Sequence, residues 1–108
     1  MFNTKRLYEE NPHLLTCTAS ALDVMNENGE TVVILDQTVF QPQKAGTETG
    51  VGLIESETKR FHVNRVERLE DYIRHLGVFE SEPFEVDEVV TCIINEEFRK
   101  EIDENRVD

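Results

Sequence analysis

The stretch that decides the fold is Asn26-Glu27-Asn28-Gly29-Glu30-Thr31-Val32-Val33-Ile34-Leu35. Asn-Gly supplies two residues able to take positive φ, which a two-residue turn between antiparallel strands requires. The run Thr31-Val32-Val33-Ile34-Leu35 is continuous, apolar and β-branched, so it reads as a strand buried on both faces. Upstream, residues 14–24 are rich in Thr, Leu, Ala and Val and carry no helix-capping pattern. They form the strand against which the turn folds the chain back.

Downstream, residues 36–50 hold Pro42, Gly46 and Gly50 among polar neighbours and read as a long loop or short irregular arm. Residues 50–54 resume an extended pattern, with Gly50 and Gly52 suited to a bulge or a close backbone approach. Residues 58–66 alternate Phe61 and Val63 with polar neighbours, as a half-buried strand does. Residues 69–76 fit two readings: Leu69, Tyr72, Ile73 and Leu76 have helical spacing, yet Tyr72-Ile73-Arg74-His75 reads equally as a strand ending at Gly77. Pro83 and Asp87 bracket a loop, and residues 89–94 form another strand. From Asn95 a helix is expected: Asn95 as cap, Glu96 and Glu97 at the positive end, a Glu96–Lys100 pair, and Phe98 with Ile102 as a narrow apolar face. The first thirteen residues are polar and end in the turn Asn11-Pro12-His13. The expectation is a mainly β, single-domain chain over residues 1–108. Its architecture is a small antiparallel β-barrel, closed or nearly so, with a short C-terminal helix packed against one end.

Eleven basic residues stand against 23 acidic ones, a formal charge of −12. Such a field repels phosphate at long range and opposes nucleic-acid binding by the surface as a whole. No apolar run approaches a membrane span and the N-terminus lacks an apolar secretory core, so a cytoplasmic location is expected and no membrane contact. Cys17 and Cys92 each lie within apolar segments and read as buried, reduced thiols on strands.

A search for chemistry finds no converging set. His13, His62 and His75 lack a second His or a Cys at ligand spacing, and HxxxH, HExxH and CxxC are absent. His62, between Phe61 and Val63, is expected on the polar face of its strand. Glu55, Glu57, Glu80, Glu82 and Glu85 lack the order of a calcium loop and read as a solvated face. Ser20, Ser56 and Ser81 have no nucleophile-elbow context, and Lys44-Ala45-Gly46 is not a phosphate-cradling loop. No catalytic residue and no metal ligand is assigned.

Two segments carry a more specific signal: Thr4-Lys5-Arg6-Leu7-Tyr8-Glu9-Glu10-Asn11-Pro12-His13-Leu14, and Val33 through Gly52 with Leu35-Asp36-Gln37-Thr38-Val39-Phe40-Gln41-Pro42 at its centre. Together they resemble the N-terminal barrel of the alanyl-tRNA synthetase editing family, including its free-standing AlaX-type members. The segment Phe84-Glu85-Val86-Asp87-Glu88-Val89-Val90-Thr91-Cys92-Ile93-Ile94-Asn95-Glu96 is similar to the family's strand before its first editing helix. Asp36, Thr38, Phe40, Pro42, Gly46 and Gly52 match the family pattern. Gln41 and Gln43 stand where Tyr and Glu are usual, Lys44 and Ala45 replace two of three glycines, and Thr47 and Glu48 replace a Gln-Pro pair.

The resemblance implies an HxxxH helix and a CxxxH segment holding zinc in a catalytic half, and this chain has neither. The expected function is therefore an accessory, non-catalytic domain, with no cofactor in this chain. Its partner-facing loop is expected to comprise Phe40, Pro42, Gln43, Lys44, Ala45, Gly46, Thr47, Gly50 and Gly52. Expected partners are tRNA, reached through a catalytic partner or a C-terminal domain, or another protein; a homodimer is a further expectation. Two alternatives stand beside this reading: an N-terminal fragment of a zinc-dependent aminoacyl-tRNA deacylase, and an acidic protein-interaction module that has lost RNA binding.

Overall fold

The Asn-Gly turn forms as its residue types require. Asn28 sits at φ 52° and Gly29 at φ 84°, the pair of positive values whose twist matches two right-twisted strands. A computed structural model describes residues 2–42 and 51–96 of the chain. Among these, the elements in order are β1 (Lys5–Arg6), α1 (Leu7–Glu10), β2 (Thr16–Glu27), β3 (Glu30–Leu35), β4 (Gln37–Thr38), β5 (Gly52–Glu55), β6 (Arg60–Leu69), β7 (Tyr72–Phe79) and β8 (Val89–Ile94). The expected C-terminal helix with Phe98 and Ile102 lies outside the described residues.

Six strands close into a barrel in the order β2-β3-β7-β6-β5-β8, every neighbouring pair antiparallel. Closure gives each of the six a partner on both sides and removes the exposed barrel edge that invites strand-to-strand association. The mainly β, antiparallel barrel read from the sequence is the observed architecture. β2 is long because it serves two partners, pairing with β8 over residues 16–20 and with β3 over residues 21–27. A bulge between Ala21 and Asp23 bends it where it passes from one to the other.

β3 is buried on both faces, as its continuous apolar run implies. Val33 and Leu35 point into the barrel core with Phe40, Ile54, Phe61, Val66 and Ile73. Val32 and Ile34 point outward and join Leu76 in a second cluster, covered by Phe2, Leu22, Met25 and Tyr72. The Phe2 ring stands edge-on to Tyr72 with centroids 5.7 Å apart. Burying one large apolar side chain contributes about 1.5–3 kcal/mol, so this outer cluster adds to the stability of a small core.

The two-way reading of residues 69–76 resolves as strand. β6 ends at Leu69, Glu70 takes φ 56°, and β7 starts at Tyr72 opposite Leu69. The helical spacing is a coincidence of a hairpin: Ile73 enters the core, Tyr72 and Leu76 join the outer cluster, and Leu69 is exposed. The N-terminal thirteen residues do more than turn. Buried Thr4 donates its hydroxyl to Leu35 O at 2.8 Å and accepts the Ile73 N–H at 3.1 Å. β1 then pairs parallel with β4, and α1 adds a single turn. Among the described residues, no helix is long and apolar enough to cross a membrane.

The barrel mouth as candidate functional site

Residues 36–42 are the stem of the predicted loop, and five hydrogen bonds order them. The Asp36 carboxylate accepts the Ser20 N–H at 2.8 Å, and Asp36 N–H donates to Ser20 O at 3.1 Å. Gln37 donates its side-chain amide to Thr18 O. Thr38 is fully buried and meets His75 Nε2 at 2.8 Å. The Phe40 N–H in turn donates to Thr38 Oγ1 at 3.0 Å.

The proton positions in this chain of bonds follow from chemistry. His75 is 0% exposed, and its Nδ1 lies 2.8 Å from the Val33 carbonyl, which can only accept. Nδ1 therefore carries the proton. Burial pushes the His75 pKa down to about 4, with the Val33 bond partly offsetting that push, so the imidazole is neutral and Nε2 is a lone pair. Thr38 donates its hydroxyl hydrogen to Nε2 and has an oxygen lone pair left for Phe40. The Phe40 ring, 1% exposed, stands edge-on to the imidazole at 5.5 Å between centroids.

Gly52 completes the stem on the other side. A Cβ there would lie 2.3 Å from Ile93 O and 2.9 Å from Phe40 Cε1. The residue must be glycine for β5 to pair with β8 while Phe40 packs beneath, the close approach read from the sequence. Val51 is buried and donates its N–H to Val63 O.

The family-like residues thus divide. Asp36, Thr38, Phe40 and Gly52 hold backbone and core together. Phe40, expected to face a partner, instead anchors the loop from inside the barrel, because its ring fills the space that Gly52 leaves open. Pro42 is half-buried at the mouth. Gln43, Lys44, Ala45, Gly46, Thr47 and Gly50 lie outside the described residues.

His13 is exposed, and His62 is exposed on the outer face of β6 as expected, 3.0 Å from Glu80. His75 is the residue whose importance the sequence reading missed. The signal was available: if residues 72–79 are a strand, Ile73, His75 and Gly77 share one face, and an apolar Ile73 makes that face the interior. Cys17 and Cys92 were read separately, yet they are register partners across the β2–β8 seam. Both are free thiols.

The outer surface of β6 and β7 bears arginines matched to glutamates. Arg74 pairs with Glu27 at 2.7 Å, Arg65 with Glu30 at 3.1 Å, and Arg60 with Glu55 at 3.3 Å. Exposed pairs of this kind contribute little to stability, but they cancel the cations that a phosphate backbone would need. Among the described residues, no group of three or more His, Cys, Asp or Glu side chains could hold a metal ion.

This is a closed β-barrel domain with a braced stem at residues 36–40 and, among the described residues, no assembled cluster of metal ligands. The family described as class II tRNA synthetases (A) matches residues 6–98, and the chain belongs to that family. The chain is 35% identical over 72 residues to an alanine–tRNA ligase of Staphylothermus marinus, a match covering 67% of this chain and 8% of the relative. It is also 35% identical over 80 residues to an alanine–tRNA ligase of Hyperthermus butylicus, covering 74% of this chain and 8% of the relative. The match to these curated relatives therefore spans about 8% of their length.

Proposed function

We propose that this chain is an accessory barrel of the alanyl-tRNA synthetase kind, presenting its mouth loop to a substrate or partner and leaving the chemistry to another domain. The observation that supports this reading is the division of labour within the motif. Asp36, Thr38 and Phe40 are occupied by Ser20, His75 and the core, so none is free to act on a substrate. What remains for contact is residues 41–50, joined at both ends to fixed backbone. Lys44 is the one cation in that stretch, and the substrate contact proposed for it is a tRNA phosphate or terminal ribose held by a catalytic partner. Against a chain charge of −12, such a contact is local and weak without that partner. Zinc chemistry, in this reading, belongs to the partner.

The test has two arms on the purified chain. Zinc is titrated while hydrolysis of mischarged alanine tRNA is followed, and no metal-dependent turnover is expected; turnover by these residues alone overturns the accessory reading. Backbone amide shifts are then followed on adding tRNA at low salt. Shifts confined to residues 41–50 support the loop as the contact surface. The glutamate-matched arginines of β6 and β7 favour a second reading, an acidic protein-interaction module, for which tRNA leaves every amide unmoved.

A further inference from the structure

Cys17 and Cys92 face each other directly across the β2–β8 seam, a pairing that the loop reading does not use. The ladder around them fixes their geometry. Ile94 N–H donates to Leu15 O at 2.8 Å, and Ala21 N–H donates to Glu88 O at 3.0 Å. Hydrogen-bonded pairs recur at every second residue, so Cys17 and Cys92 also form a hydrogen-bonded pair, with Cα atoms about 5.5 Å apart. That separation lies inside the range a disulfide spans, roughly 4.4–6.8 Å. Directly opposed side chains lie on one face of a sheet, so both thiols stand on the inner side of the seam, against the core.

The pair is asymmetric in a way that assigns roles. Cys17 is half-buried at the end of β2, whereas Cys92 is fully buried. The neighbouring Cys92 thiol and the Val39 N–H draw the Cys17 pKa below the ordinary thiol value, against the opposing push of its partial burial. Cys92, beside the Cys17 thiol and buried, is pushed well above it. A half-buried thiol with a lowered pKa beside a buried thiol with a raised one is the arrangement of an attacking and a resolving cysteine.

We propose that Cys17 and Cys92 are an oxidation site that takes a hydroperoxide and closes into a cross-strand disulfide at the barrel seam. The Cys17 thiolate sulfur attacks one peroxide oxygen and the O–O bond breaks. The leaving hydroxide takes a proton to become water, and Cys17 becomes a sulfenic acid. The Cys92 sulfur then displaces the hydroxyl from Cys17, its proton leaving with that hydroxyl as a second water. Two thiols lose two electrons and two protons, and one hydrogen peroxide is reduced to two waters. The disulfide thereby locks the β2–β8 seam with a covalent bond.

The experiment treats the reduced, folded chain with hydrogen peroxide, quenches with a thiol-alkylating reagent, and measures intact mass and peptide maps. The expected product is a monomer lighter by about 2 Da, with a peptide linking residues 17 and 92, restored by dithiothreitol. In Cys92→Ala, Cys17 is expected to stop at the sulfenic acid, trapped by dimedone. In Cys17→Ser, Cys92 is expected to resist the same dose. Far-UV circular dichroism establishes that each variant is folded. The proposal is overturned if the wild-type chain gives only sulfinic or sulfonic acid, only intermolecular dimers, or no change at doses that oxidise a free thiol peptide. It is equally overturned if Cys92 reacts first in the folded Cys17→Ser variant.

Discussion

Thr38→Val removes one hydroxyl and tests whether the barrel mouth is built as described. Valine keeps the branched shape, so the surrounding packing changes little. Two buried groups lose their partner: the Nε2 lone pair of His75 and the N–H of Phe40. Each buried group left unsatisfied costs about 1–3 kcal/mol, and the added methyl returns about 1 kcal/mol of transfer energy. The net cost is about 3 kcal/mol, against a total stability of about 5–15 kcal/mol for a domain of this size. Urea unfolding at neutral pH, followed by far-UV circular dichroism, measures it as a lower midpoint with an unchanged slope. Thr38→Ser keeps the hydroxyl and is expected to lose only about 1 kcal/mol, the methyl contribution. A double-mutant cycle with His75→Leu separates the pair term from the single losses. If Thr38→Val costs less than about 0.5 kcal/mol, the size of an ordinary surface change, the hydroxyl does not bridge His75 and Phe40 and the stem is held by something else.

Three further outcomes follow from the same structure. His75 titrates near 6.5 when unfolded and near 4 when folded, so the unfolded chain binds the proton first. Stability is complete above pH 6.5, falls as pH drops toward 4 and levels below it, by about 3 kcal/mol from that one group. Urea midpoints across this window should slope in the wild type and slope less in His75→Gln; parallel profiles contradict the assignment. Gly52→Ala drives a Cβ into Ile93 O and the Phe40 ring, and a loss of about 3 kcal/mol or failure to fold is expected by thermal unfolding. Near-wild-type stability would mean that β5 and β8 are not so closely paired. Gly29→Ala meets no atom within 4 Å, so its cost is the backbone at φ 84° alone, about 1–2 kcal/mol; a larger loss in urea unfolding would point to a packing role for the turn.

The sequence by itself determined the local elements and the architecture they imply. Asn28-Gly29 dictated the hairpin because positive φ at both turn positions is a property of those residue types. The unbroken apolar run of residues 31–35 dictated a strand with no solvent face, and alternation around Phe61 and Val63 dictated one with a solvent face. Gly52 was legible as a close approach, though not what approaches. The family-like order of Asp36, Thr38 and Phe40 marked the stem, but not that its members are turned inward.

What only the tertiary structure decided depends on which residues become neighbours across the barrel. Residues 69–76 satisfied helical and strand spacing equally, and the choice fell to the β6–β7 ladder, a long-range pairing that no local period encodes. The thirteen polar residues at the start became a structural brace because Thr4 meets Leu35 and Ile73, partners far from it in sequence. His75 gained its neutral form from burial inside the closed barrel, and its proton position from Val33 and Thr38, which lie on other strands. Cys17 and Cys92 became a pair through the register of two strands from opposite ends of the chain. In each case the deciding contacts are hydrogen bonds and side-chain meetings across strands, whose geometry is set when the sheet closes on itself.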